Sequence, residues 1–217
     1  RLSVGDGDAA SGVHSLPTMG RKTVGRSRSW RRGSATKTEN ETEKNRMLNE
    51  AVGHLTEAIK IHPGFKNAYL LMGNAYNYLK NYDESIRFYN QALKLDSDYA
   101  EAHGNLAITY REVGKFYGEQ QGDLTKALDY LNKAYDMNSE DYETLRLLGV
   151  AYGIGQNNPR AIEFFTKALE QKPDDADAIF NLGTAYYQAG DQDTATEYFN
   201  KAKAINPDIE TERSQRR

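Results

Sequence analysis

The chain has no cysteine in its 217 residues, which excludes a disulfide framework and any thiolate site for metal binding or nucleophilic attack. The absence fits a reducing compartment, and a cytoplasmic location is the expectation. No stretch approaches the roughly 18 apolar residues that a membrane-crossing helix needs. No apolar run near the start reads as a secretory signal. Histidine is sparse, and His14, His54, His62 and His103 show no metal-site spacing of the H-E-x-x-H kind. Gly149, Gly153 and Gly155 are close together, but they lie in a helical stretch and its turn rather than after a strand, so they do not form a phosphate loop. No Ser or Lys sits in a nucleophile motif. Asp174-Asp175 and Asp191-Gln192-Asp193 read as helix caps and solvated charge, not as calcium loops. Neither a cofactor nor a catalytic activity is expected.

Charge is unevenly spread. Residues 1–36 carry a net +5, and the remainder a net −8. The basic stretch holds Arg21-Lys22, Arg26, Arg28, Arg31 and Arg32 among Gly and Ser, without helical or strand periodicity. Residues 1–45 are therefore expected to be a disordered basic arm. A nucleic-acid arm is one reading of it, but Trp30 alone could stack on bases and the acidic remainder repels phosphate, so no nucleic acid is expected as partner. A mitochondrial transit peptide is another, against which stands the missing amphipathic period. The composition changes abruptly between Ser34 and Thr38, which fits a third reading: residues 1–33 as non-native sequence from a shifted reading frame. Asn40-Glu41-Thr42 matches a glycosylation acceptor, a triplet common by chance.

What the chain does have is a repeat. Tyr76, Tyr110, Tyr152 and Tyr186 are spaced 34, 42 and 34 residues apart. Ala58, Ala92, Ala134, Ala168 and Ala202 follow the same spacing, as do Ala51, Ser85, Ala127, Ala161 and Ala195. A fixed period in this range means stacked copies of one supersecondary unit. Small residues at constant offsets let helices approach closely, and the aromatics between them fill the remaining volume. Pro63, Pro173 and Pro207 stop helices, Asn158-Pro159 reads as a cap followed by a first-turn proline, and Asn81 and Asp191 read as caps.

The unit resembles the tetratricopeptide repeat. The copy from Ala176 to Asp208 has Leu182, Gly183, Tyr186, Gly190, Ala195, Phe199, Ala202 and Pro207 at the family's positions. A second has Leu148, Gly149, Tyr152, Ala161, Phe165, Ala168 and Pro173; a third has Gly73, Tyr76, Ser85, Tyr89, Ala92 and Leu93. A fourth has Leu106, Ala107, Tyr110, Ala127, Leu131 and Ala134, and half a unit precedes them with Ala51, Leu55, Ala58 and Pro63. The resemblance implies an all-α solenoid of antiparallel helix pairs, about nine helices in four and a half units. The array occupies residues 46–207 and is followed by a charged tail over 208–217, too short for a full solvating helix. In one unit Ala107 to Ala127 spans 20 residues where the other copies have 12. The extra residues are expected to prolong the first helix to near Gly118 before a protruding turn. They read either as a tolerated insertion or as a contact feature carrying Phe116 and Tyr117.

In this family the first helices line the concave face, which implies a protein- or peptide-binding scaffold. Positions 2, 5, 9 and 12 of each first helix share a face. Together with the bordering position 6 they give the candidate groove: Asn67, Asn74, Asn77, Asn105, Arg111, Arg146, Phe180, Asn181, Thr184 and Tyr187. Asn amides can donate to and accept from a peptide backbone at once. The arginines would select an acidic or polar side chain, and Phe180 with Tyr187 an apolar one. The family's carboxylate clamp is not matched. Asn74 and Asn105 fit it, but Leu70, Glu143 and Leu147 stand where cations belong. The asparagine ladder of O-linked sugar transferases is broken: Asn105 and Asn181 match, while Leu71 and Leu147 do not. The alternative is that the chain, which begins with Arg, is a fragment, the soluble repeat tail of a larger membrane glycosyltransferase resembling an O-mannosyltransferase. No membrane contact is expected within the fragment itself.

Overall fold

The structure, a computed structural model, describes residues 24–215, and the described residues form ten α-helices. They are α1 (Val24–Ile61), α2 (Lys66–Tyr78), α3 (Tyr82–Leu95), α4 (Ala100–Glu119), α5 (Leu124–Met137), α6 (Tyr142–Ile154), α7 (Asn158–Gln171), α8 (Ala176–Gln188), α9 (Gln192–Ile205) and α10 (Ile209–Gln215). Residues 24–45 continue as helix into α1, where the sequence had pointed to an arm without structure. No proline interrupts Val24 to Ile61, and Arg46 pairs with Glu50 one turn on, the spacing that supports an exposed helix. The first 23 residues, which carry most of the expected arm, lie outside the described residues.

From α2 to α9 the helices pair as α2 with α3, α4 with α5, α6 with α7 and α8 with α9, and each pair packs on the next. In the three regular pairs a glycine of the first helix lies against an aromatic ring of the second. A Cβ built on Gly73 would lie 2.5 Å from the Tyr89 ring, one on Gly149 2.7 Å from Phe165, and one on Gly183 3.0 Å from Phe199. The bare backbone is what lets the ring lie against it. Beside each contact a second aromatic pair stacks: Tyr76 on Phe88 at 5.4 Å, Tyr152 on Phe164 at 5.5 Å, Tyr186 on Tyr198 at 5.5 Å. Ser85, fully buried at the small position of α3, donates its hydroxyl to the Gly73 carbonyl at 2.9 Å. Between pairs, cores such as Leu70, Tyr89, Ala92, Ala102 and Leu106 bury the apolar faces that one unit alone would expose.

Caps fix the helix starts. Asn81, Asp123, Asp141, Asp175 and Asp191 each accept from a backbone N–H in the first turn. At α7 the cap is Asn157, not Asn158; Asn158 is the first helical residue, with Pro159 behind it. The turns within pairs need a left-handed residue, which Gly122 and Gly190 supply without strain while Lys80 and Gln156 adopt it with a side chain.

The long unit is where the array departs from regularity. Helix α4 has 20 residues, whereas α2, α6 and α8 have 13 each. The second helices are all alike, α3, α5, α7 and α9 having 14 residues each. All seven added helical residues thus belong to α4, two turns or about 10 Å, and its end at Glu119 is close to the expected one. The packing follows them. Gly114, not Ala107, takes the close contact, since its Cβ would meet Leu131 at 2.7 Å. Tyr117, not Tyr110, makes the parallel stack, on Tyr130 at 5.8 Å and 7°. The backbone hydrogen bond that closes the other turns, Asn81 N to Tyr76 O at 2.9 Å, has its counterpart from Asp123 N to Tyr117 O at 2.9 Å. Tyr117 is therefore a packing residue rather than a surface contact feature.

The first half of α4 keeps the ordinary alignment toward α2. Its second half carries α5 and α6 two turns further along. The residue before α4, Tyr99, bonds Asn67 near the start of α2, and Asp175 before α8 bonds Tyr142 at the start of α6. Asp141 before α6 instead bonds Arg111, the twelfth residue of α4. The array is stepped, not straight.

The charged tail expected over 208–217 carries a short helix, α10, with Ile209 buried and Lys203 paired to Glu210 at 3.0 Å.

Two glycines in first helices should respond oppositely to alanine. Gly149→Ala gains helix propensity of about 1 kcal/mol but pushes Phe165, which has no room, and overpacking of this kind costs about 1–3 kcal/mol. Gly118→Ala places its Cβ in ordinary contact 3.5 Å from Ala127 and should stabilise by up to about 1 kcal/mol. Urea unfolding followed by circular dichroism measures both, and a stabilised Gly149→Ala would refute the close-contact account.

Candidate functional site

The first helices α2, α4, α6 and α8 form one face of the array, and a row of depressions lies in the seams between them. Between α2 and α4 the walls are Asn74, Asn77, Tyr78, Glu101, Asn105 and Ile108, enclosing about 380 Å³. Between α4 and α6 lie two, one beside Ile108, Arg111 and Asp141 of about 170 Å³, the other beside Gly114, Gly118, Leu147 and Val150 of about 220 Å³. Between α6 and α8 Gly153, Asn181, Thr184 and Gln188 bound a fourth of about 240 Å³, which Arg213 of α10 also lines.

The ten expected groove residues divide among these. Asn74, Asn77 and Asn105 meet in the first depression, Arg111 lies in the second, and Asn181 with Thr184 lines the fourth. Asn67, Arg146, Phe180 and Tyr187 line none of the four. Tyr187 is 59% exposed. Phe180 packs on Phe199 with ring centroids 4.8 Å apart and lies under the Arg213 guanidinium at 4.7 Å.

The asparagines are engaged with the protein itself. Asn74 Oδ1 accepts from the Tyr89 hydroxyl at 2.7 Å and from Asn105 Nδ2 at 2.9 Å. Burial raises the Tyr89 phenol to about 12, so it stays a neutral donor at ordinary pH. Asn77 Nδ2 donates to the buried Thr109 hydroxyl at 2.8 Å, and Asn181 Oδ1 accepts from Arg213 at 2.5 Å. These amides bind one first helix to the next. Each keeps further hydrogen-bonding capacity, since an amide offers two donor hydrogens and two acceptor lone pairs.

The arginines are matched by acids. Arg111 donates to both oxygens of Asp141 at 3.2 and 3.0 Å, and Arg146 clasps Glu143 at 3.0 and 2.6 Å. Burial pushes the Asp141 carboxyl up, but the Thr144 hydroxyl and amide and the Arg111 guanidinium outweigh it and hold the acid below its ordinary value. The bidentate Arg146 bond, against a smaller effect of burial, does the same for Glu143. An acidic ligand side chain would have to displace an existing carboxylate.

Sequence reasoning passed over Tyr78, Ile154, Gly114 and Gly118, which line the depressions. The glycines carried a readable signal: Gly114-x-x-Tyr117 repeats the Gly-x-x-Tyr of Gly73, Gly149 and Gly183. Among the described residues no group of three or more His, Asp or Glu is placed to hold a metal ion. None of the described helices is long and apolar enough to cross a membrane.

A carboxylate whose folded pKa is lowered stabilises fully above its unfolded pKa and loses that contribution as pH falls through the folded value. For Asp141 the unfolded value is about 3.9. Asp141→Asn keeps a capping side chain and removes the charge. Between about pH 5 and pH 2 the unfolding free energy of the wild type should therefore fall more steeply than that of Asp141→Asn. Parallel curves in urea titrations would show that the Arg111 pair contributes nothing.

Comparison with known proteins agrees with this architecture. Family models described as tetratricopeptide repeat match residues 66–140, 119–176 and 156–214. No curated protein sequence matches the chain. Among solved structures, YrrB, a TPR protein with an unusual peptide-binding site, aligns with TM-score 0.53 and 24% identity over 75% of this chain and 80% of its own. MamA from Desulfovibrio magneticus RS-1, its chain from residue 41 to the end, aligns with TM-score 0.51 and 23% identity over 82% and 94%. BtubC from P. vanneervenii aligns with TM-score 0.57 and 21% identity over 81% and 76%. At such identities the likeness is one of fold. A close glycine contact and a tyrosine stack recur in each of the four helix pairs from α2 to α9, and with the three family matches over residues 66–214 they make this chain a member of the tetratricopeptide repeat family.

Proposed function

We propose that the chain is a non-catalytic scaffold that binds an extended peptide segment of a partner protein along its first-helix face. The observation that carries this reading is the row of four depressions in the seams of α2, α4, α6 and α8, each with polar backbone-matching groups or apolar walls. An extended chain presents alternate side chains at regular intervals and suits a row of shallow seats better than a small molecule does. YrrB, with the same fold, is described as having a peptide-binding site, which supports the reading. Asn74, Asn77, Asn105 and Asn181 would meet the peptide backbone with their remaining donors and acceptors. Arg111 and Arg146 act mainly as partners of Asp141 and Glu143. Glu101, which lines the first depression, and the net −8 of residues 37–217 favour a ligand of basic or mixed charge.

Ile108 is the point at which to test this, since it is 45% exposed and lines two adjacent depressions. Random dodecapeptides displayed on phage are panned on the wild-type chain, and the selected peptides are titrated by fluorescence polarisation. Ile108→Asp should weaken them about tenfold or more, roughly 1.4 kcal/mol. Lys201→Glu, exposed on α9, should leave them unchanged. Peptides lost with the α9 variant and retained by Ile108→Asp would move binding to the second-helix surface.

A further inference from the structure

The two added turns of α4 do more than displace the array. They create a seat whose chemistry differs from that of its equivalent one unit on. In the α6–α8 seam the α8 wall presents Asn181, Thr184 and Gln188. In the seam beside Gly114 and Gly118 the corresponding α6 wall presents Leu147, Val150 and Ile154, and Leu131 stands where Phe165 lies in the other. Leu124 closes the far side, from the start of α5. The seat holds about 220 Å³, and glycine at 118 leaves its α4 wall without a side chain. A dry cavity of about 150 Å³ with such a lining accommodates benzene. At its mouth Ile154 is 68% exposed and extends the apolar wall outward.

Charge around the seat narrows the occupant. Glu119 lines it, and no described cation is paired with that carboxylate. Of the cations of this stretch, Arg146 is held by Glu143, Arg111 by Asp141 and Glu112, and Lys126 by Asp123, while Lys115, one turn before Glu119 on α4, forms no ion pair with it. Apolar walls with one open carboxylate at the rim call for a bulky apolar side chain with a cation beside it.

Resting on the peptide-groove reading, we propose that this seat is the anchor pocket of the array. It takes one Leu, Ile, Met or Phe side chain of a partner peptide, with a neighbouring Lys or Arg reaching Glu119. The remaining depressions are more polar and hold the backbone. The unit with the extra turns is thereby the one that sets specificity, while its neighbours contribute contacts that depend little on sequence.

Gly118→Leu tests the pocket with the fold intact. The position is exposed on a helix, an added Cβ makes only ordinary contact, and leucine improves helix propensity, so the variant fills the seat from its glycine wall. Ile154→Asp alters the mouth independently. The probe is the set of phage-selected dodecapeptides. These should share a bulky apolar residue with Lys or Arg within a few positions, and each should lose about tenfold or more in Kd on both variants. Replacing the apolar residue of the peptide by Ala should cost as much on the wild type and nothing further on Gly118→Leu. Peptides weakened by Ile108→Asp but indifferent to Gly118→Leu would leave the groove reading standing and overturn the anchor pocket. Selection of no peptide would overturn both. A dimer of the wild type in sedimentation equilibrium that Gly118→Leu dissociates would assign the pocket to a second copy of the chain and overturn the proposal as well.

Discussion

The closeness of two helices within each pair governs the rest of the structure. It is set by one glycine against one large side chain: Gly73 with Tyr89, Gly114 with Leu131, Gly149 with Phe165, Gly183 with Phe199. Wherever that contact falls along a first helix, the second helix must follow. The tyrosine stack sits three residues on, and the turn closes on the carbonyl of the stacked tyrosine. The next pair then packs on the second helix so placed. The two helices of a pair are held in one alignment, because only one glycine of each first helix meets the large side chain closely. A repeat protein of this kind transmits a local change in sequence to everything downstream of it through contacts between neighbours alone.

That logic explains what could be read from the sequence. The fold was legible because its period is written in residues that pack: the repeat alanines of α3, α5, α7 and α9 are buried, Ala92, Ala134, Ala168 and Ala202 among them, although Ala51 and Ala58 of α1 are not. The caps at Asn81 and Asp191 were legible for the same local reason. The alignment of α4 was not, because it offers two answers. Ala107-x-x-Tyr110 fits the count from the preceding unit, and Gly114-x-x-Tyr117 fits the count from the following one. Gly114 and Tyr117 take the close contact and the stack with α5, while Tyr110 joins the core shared with α2 and α3 and also lies beside Tyr130 of α5. Only the tertiary contacts show a helix that serves two alignments. The helix over residues 24–45 and α10 are not legible in the sequence, because neither carries the repeat's period.

The first-helix face was readable from the sequence, but what its side chains do there was only half visible. Residue type and helical spacing place Asn74, Asn105 and Asn181 on one face. They do not reveal that each is already bonded to an adjacent first helix or to α10. Likewise the sequence shows Arg111 and Arg146 as cations on a face, while the ion pairs with Asp141 and Glu143 neutralise them there. The polar network stiffens the surface it lines, which lowers the entropy that a bound chain must offset. Chemical distinction along the face then comes from the apolar seat, which has no counterpart of equal character in the α6–α8 seam.

The step at α4 has a consequence for anything that binds along the array. The line of seats before it and the line after it are offset by about 10 Å, so an extended peptide that follows both, as proposed above, would have to bend across the step. A ligand that engages both halves needs two short binding stretches joined by a few residues that cross the offset. Each stretch alone would hold weakly. Joined, the second binds at an effective concentration fixed by the length and stiffness of the joining residues. If a partner binds as proposed, the array would thereby measure spacing within it, with the two added helical turns as the ruler.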